Sequence, residues 1–365
     1  MELADAADYA KLHNEQPEKY IAIYREAFQY EKDAAINAYN AQIGEPSISI
    51  LFRSAASLAL ECELYREAEQ QIALGLAGNP PEEIAEELRD LLENVNFNRH
   101  LKLKGVELQN NEVQLVIAGK GVGFGYAKDD DVLKRISNFN TLATRTIERK
   151  KGKDFRTKGK ASKDITSLIQ SYVSVPRAAS FAITLRLGSP IRQLSFDGFD
   201  DPINAIISDI TDNISLINDG NIEELKKNIP NEKYLSNFIN LSKELAPDGK
   251  DISLVGLTYI KNGKEIPVKL TRSKQDFKGI IPFEIVERYS LIEDGNSIKS
   301  LSGILSAADA TSNSVRIDTD SGKIPVTVPD GLSDIVKNYW DEPVEISVQW
   351  SIKNKKYTLI SIDKN

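Results

Sequence analysis

The densest group of side chains able to do chemistry is RTIERKKGKDFRTKGKASK, residues 145–163, where nine basic and two acidic residues share one short stretch. Lysines and arginines packed this closely neutralise phosphates, and an interleaved aromatic such as Phe155 either stacks on a base or anchors the loop. Arg145 and Arg149 continue a preceding helix, while Gly152 and Gly159 break it, so residues 150–160 are expected to form a flexible loop. Arg145, Arg149, Lys150, Lys151, Lys153, Phe155, Arg156, Lys158, Lys160 and Lys163 are therefore the candidate set for contacting DNA or RNA. An acidic protein surface, or plain solvation, are the other readings of the same residues. The surroundings sharpen the contrast, because the chain carries a net charge of −8 and residues 1–104 hold 19 acidic against 10 basic side chains. That acidic region is a candidate protein-docking surface, represented by Glu67, Glu83 and Glu87.

Other motifs carry less. The run AGKGVGFG places Gly119, Gly121, Gly123 and Gly125 at every second position. It misses both the phosphate-loop and the dinucleotide spacings, so it reads as a strand face left bare for close backbone approach. Asp129, Asp130 and Asp131 stand before a helix, where capping and dipole complementation are simpler accounts than a metal cluster. Asp318, Asp320 and Gly322 hold part of a calcium loop and read by default as a hairpin turn. The single cysteine, Cys62, excludes an internal disulfide, and with only His13 and His100 a His-rich zinc or haem site is not expected. Cys62 sits among apolar helix residues as a small buried hydrophobe, and His100 lies at a helix end. No catalytic, metal or cofactor residue is assigned, and an enzyme with a dispersed site stays open.

These residues must be held by a multidomain α+β chain. Residues 1–104 read as a helical lobe, with one amphipathic helix over residues 18–40 and another lined by Ile84, Leu88, Leu91, Leu92 and Val95. Residues 105–298 mix strands and helices, with the clearest helix at DPINAIISDITDNISLIN and a hairpin turning at Asn262 and Gly263. Residues 299–365 read as a separate five-stranded barrel, with strands at 301–307, 315–319, 324–328, 344–350 and 357–362 and a short helix after the third. No run approaches the roughly 18 apolar residues of a membrane span, and the acidic start is unlike a signal peptide, so a cytoplasmic location is expected.

Residues 51–80 resemble a tetratricopeptide repeat. Ala55, Ala56 and Ala59 occupy its small positions and Phe52 its aromatic slot, while Tyr65, Ala68, Ile72, Gly75 and Pro80 match the second half. Phe52 replaces the commoner Trp, and Gly75 the commoner Ala. The order of the last strands and helix resembles an OB-fold, with an SH3-like barrel as the alternative. Across most of its length the chain is similar to a group of bacterial proteins, cyanobacterial ones among them, that share RSAASLALEC, GNPPEEIAEELRDLLE and SVPRAASFAITLRLG. That resemblance implies a bacterial source and a role in regulation or a defence system. Three functions follow as expectations: a non-enzymatic adaptor docking a protein with its lobe and nucleic acid with its basic loop, an antitoxin-like subunit whose acidic lobe covers a basic toxin or nuclease, or an enzyme. Oligomeric state is not legible.

Overall fold

The computed structural model describes residues 2–13, 16–101, 108–123, 126–173, 181–188, 202–279, 298–309, 312–351 and 356–364. They belong to two compact units: residues 1–107 with 116–126 and 177–182, and residues 108–115 with 127–176 and 183–365. Among the described residues no helix is long and apolar enough to cross a membrane.

The first unit is helical through α1 (Glu2–Leu12), α2 (Pro17–Asn40), α3 (Ser47–Glu61), α4 (Tyr65–Ala77) and α5 (Glu82–Leu101). The opening helix α1 is additional to those read from sequence; it buries Ala7 and Ala10, one helical turn apart. Pro17 presets the first φ of α2. After α2 the chain reverses through Gln42 and Gly44, which take φ of 51° and 93°. The core joins Phe28 of α2 to Ala55, Ala56 and Ala59 of α3, Ala68 and Ile72 of α4, and Leu88 and Val95 of α5. Alanines dominate it because the helices lie too close for larger side chains. Gly75 shows the limit, since a Cβ there would stand 2.9 Å from Leu88 Cδ1 and 3.2 Å from Phe52 Cβ. Truncating a side chain as buried as Leu88 to alanine costs about 2–5 kcal/mol.

A five-stranded sheet is built from β1 (Glu112–Ala118), β4 (Ser171–Val173), β5 (Phe181–Leu187), β6 (Leu254–Lys261) and β7 (Lys264–Leu270) in the order β4-β5-β1-β6-β7. Its hairpin turns as expected at Asn262 and Gly263, with φ of 52° and 72°. The glycine run departs from the sequence reading. β1 ends at Ala118, Gly119 takes φ of 147°, and Val122–Gly123 (β2) pairs with Tyr126–Ala127 (β3) in a separate two-stranded ribbon. The bend at Gly119 keeps these glycines off one continuous strand face; Gly125 lies outside the described residues.

In the second unit α6 (Asp129–Lys150) packs against α8 (Pro202–Asn218) and α10 (Glu232–Leu245), with α7 (Lys163–Thr166) and α9 (Ile222–Asn228) as short neighbours. Asp129, Asp130 and Asp131 fill the first turn of α6 and complement its dipole, whereas the N-cap position itself falls on Lys128, whose side chain does no capping. Asn231 caps α10 by accepting from the backbone N–H groups of Lys233 and Tyr234.

The last five strands, β8 (Ile298–Asp309), β9 (Ser314–Thr319), β10 (Gly322–Thr327), β11 (Pro343–Ser351) and β12 (Lys356–Lys364), pair in a closed ring, β10-β12-β11-β8-β9. The short helix α11 (Ser333–Val336) follows the third strand. Asp320 lies in the β9–β10 hairpin turn, and Asp318 accepts from the Ser306 hydroxyl at 2.7 Å. Among the described residues no His, Cys, Asp and Glu group could hold a metal. The ring belongs to the same compact unit as α6 and α10. Gly331 lies so close to α10 that a Cβ there would meet Ser236 Oγ at 2.5 Å. Asn237 donates to the Gly331 carbonyl at 3.1 Å, buried Lys243 pairs with Asp363 at 2.5 Å, and the Tyr339 hydroxyl donates to Glu244 at 2.6 Å.

Candidate docking groove and the basic segment

The basic segment is largely occupied by its own fold. Arg145 is only 4% exposed, and its guanidinium donates to Asp334 of α11 at 2.8 Å and to Glu148 at 2.9 Å. It also lies over the Phe155 ring, 4.2 Å from the centroid. Phe155, 7% exposed, meets Tyr234 edge-on at 5.1 Å. Of the two roles read for Phe155, stacking on a base or anchoring the loop, this burial fits the anchor. Arg156 donates to the other oxygen of Glu148 at 2.8 Å and to the Gly159 carbonyl, and Arg149 binds Asp209 and the Asn228 carbonyl. These contacts engage all three arginines within the fold.

The lysines lie on the outside. Lys150 pairs with Asp209 at 3.0 Å, Lys151 with Asp164 at 3.0 Å, and Lys153 donates to Ser162 at 2.9 Å. Hydrogen bonds from Ser162 and Lys151 hold the Asp164 carboxyl well below the usual carboxylate range. Lys158, Lys160 and Lys163 are exposed. The loop expected to be flexible is tied down by Phe155 and by the Tyr234 hydroxyl, which donates to the Lys153 carbonyl at 3.1 Å. Burial, and then the charge of Glu148, pushes that phenol up to about 12.

The helical lobe holds a groove of about 1040 Å³ lined by α1, α2, α3 and α5. Its lining includes the carboxylates Glu2, Asp8, Glu31, Glu61, Glu87 and Asp90 and one cation, Arg53. Three carboxylates are engaged within the lobe. Asp8 accepts from the Tyr24 hydroxyl, Glu61 pairs with Lys11 at 2.5 Å, and Glu87 pairs with Arg53 at 2.7 Å. Burial, then the bond to Asp8, raises the Tyr24 phenol well above its ordinary range. Glu2, Glu31 and Asp90 have no ion-pair partner among the described residues. Ala27, Ala34, Ser54 and Ser57 also line the groove, together with Tyr30, which is 64% exposed.

Of the three carboxylates put forward for docking, only Glu87 lines this groove. Glu67 and Glu83 sit in the first turns of α4 and α5, where they complement the helix dipoles. The stripe Glu87, Asp90, Leu91 and Asn94 has the three-and-four spacing of one helix face and is visible in the sequence. Glu2 and Asp8 lie on α1, whose alanine-rich sequence marks no such stripe. Cys62 is buried at the end of α3, where desolvation raises its thiol. The side chain of His100 lies outside the described residues. Comparison with family models, curated proteins and solved structures finds no match for the chain.

Proposed function

We propose that the chain is a cytoplasmic, non-enzymatic binding protein whose helical lobe, tetratricopeptide-like in its α3–α4 pair, docks a basic polypeptide in the acidic groove. The observation that supports this reading is the groove itself, with Glu2, Glu31 and Asp90 without ion-pair partners among the described residues along a lining rich in small side chains. Carboxylates left without counter-charge attract cations and raise the rate of encounter with them. The antitoxin-like role uses the same groove, with a basic toxin or nuclease as occupant. The ring of strands, OB-like or SH3-like in order, serves in this reading as part of the second unit.

The test is titration of the full chain with fluorescent poly-L-lysine at low salt. Glu31→Lys with Asp90→Lys should weaken binding by about tenfold. Glu67→Lys with Glu83→Lys makes the same change in net charge away from the groove and should have little effect. Equal weakening by both pairs would assign the binding to diffuse charge and reject the groove.

A second reading, nucleic-acid contact, is favoured by the exposed positions of Lys150, Lys151, Lys153, Lys158, Lys160 and Lys163 along one segment. It requires salt-sensitive retention of DNA or RNA that Lys160→Ala with Lys163→Ala reduces.

A further inference from the structure

We infer that the occupant of the groove is an α-helix with a cationic stripe, about three turns long, and not an extended peptide; the inference rests on the docking reading above. Dimensions come first. Along α2 the lining runs from Tyr24 to Ala34, a distance of about 15 Å at 1.5 Å per residue. That length accepts about three turns of helix at a 5.4 Å pitch, or four to five extended residues at about 3.3 Å each.

Backbone chemistry chooses between them. An extended segment laid in the groove brings its own N–H and C=O groups, and each needs a partner once water leaves. The walls are helices whose backbone groups, outside the first turn of α1 at Glu2, Leu3 and Ala4, are already bonded internally, so they offer no strand edge. The lining's one side-chain amide, Asn94, donates to the carbonyl of Asp90 on its own helix. A helical occupant arrives with its backbone satisfied and needs only side-chain contacts.

The lining suits such a partner. Ala27 and Ala34 are seven residues apart on α2, and Ser54 and Ser57 three apart on α3, so small side chains recur at helical spacing. Helix axes can then approach to about 8–10 Å. Glu31 on α2 and Asp90 on α5 supply negative charge from two different helices. Lysine or arginine at spacings of three, four and seven on the occupant would face them, because those positions share one helix face.

The test uses the full chain and two labelled peptides of about 16 residues. The first repeats alanine and leucine with lysines at helical spacing. The second has the same lysines, with two central alanines replaced by proline. The helical peptide should bind about tenfold more tightly by fluorescence anisotropy and gain helicity at 222 nm on binding. Ser57→Trp, an exposed position whose enlargement fills the groove without changing charge, should abolish its binding while the far-ultraviolet spectrum of the free protein stays the same. Equal affinity for the proline peptide, or binding without gain of helicity, would overturn the helical occupant and leave the docking groove standing. Failure of both peptides, with poly-L-lysine still sensitive to Glu31 and Asp90, overturns it in the same way. If neither peptides nor poly-L-lysine respond to groove substitutions, the docking reading falls as well.

Discussion

The two most strongly charged regions of the chain use their charge in opposite ways. In the basic segment the arginines are consumed by the fold: Arg145, Arg149 and Arg156 bind Asp334, Glu148 and Asp209 inside the second unit. In the acidic groove Glu2, Glu31 and Asp90 are left without ion-pair partners among the described residues. The sequence showed the larger local imbalance in the basic segment, yet its arginines are matched within the fold while the acidic groove keeps three of its carboxylates without ion-pair partners among the described residues. Charge density along a chain measures how many counter-charges are needed, and only the fold says whether they come from within.

The strongest way to break this comparison is to remove an arginine. Arg145→Ala should lower the free energy of unfolding by about 3–5 kcal/mol, because Glu148 and Asp334 lose a buried counter-charge. Urea denaturation measures it, and a loss below about 0.5 kcal/mol would return Arg145 to the surface. Phe155→Ala should cost about 3 kcal/mol through lost packing against Arg145 and Tyr234. A stable Phe155→Ala protein that fails only in nucleic-acid binding would restore the stacking role.

The acidic side makes the opposite forecast. Glu31→Lys with Asp90→Lys should change unfolding free energy by no more than about 0.5 kcal/mol while weakening polycation binding. A large drop in stability would mean that these carboxylates are structural. If nucleic acid binds at all, Lys160 and Lys163 remain as unengaged contacts, so log K should fall against log salt with a slope near −2. A slope of −4 to −5 would require the lysines paired with Asp209 and Asp164 to let go of them. The smallest effect is alkaline. Tyr24, Tyr234 and Tyr339 all have raised phenols, chiefly through burial. The native state holds these protons more tightly than the unfolded chain, so their contribution is complete below the ordinary phenol range at pH about 10 and is lost as pH rises above it, for Tyr234 through about 12. Absorbance at 295 nm should show these three among the last of the 13 tyrosines to ionise.

Much of the architecture was legible. The apolar stripe ending at Val95 predicted α5, and Asn262 with Gly263 predicted the β6–β7 turn. The order of the last five strands, with a short helix after the third, was readable from turn residues. What was not legible depends on partners distant in sequence. Arg145 and Glu148 are three residues apart and could be paired by eye, but Asp334 comes from 189 residues away. Asp209, which holds Arg149, is 60 residues from it. The groove was half visible: α5 shows its polar stripe, while the apolar residues of α1 are mostly alanines and mark no clear helix face. Gly119 misled because spacing by two suggests a strand, and only its φ reveals the bend.

The ring of strands also has a seam. β11 and β12 run together through eight register pairs, from Val344 with Lys364 to Ser351 with Lys356. Closure between β10 and β12 is parallel and, among the described residues, rests on Val326 with Tyr357 and Thr327 with Thr358. Parallel pairing joins segments that no short turn can connect, so this contact forms late and opens early. Amide protons along the seam should therefore exchange with solvent sooner than those between β11 and β12, by brief unzipping that leaves the rest of the unit folded.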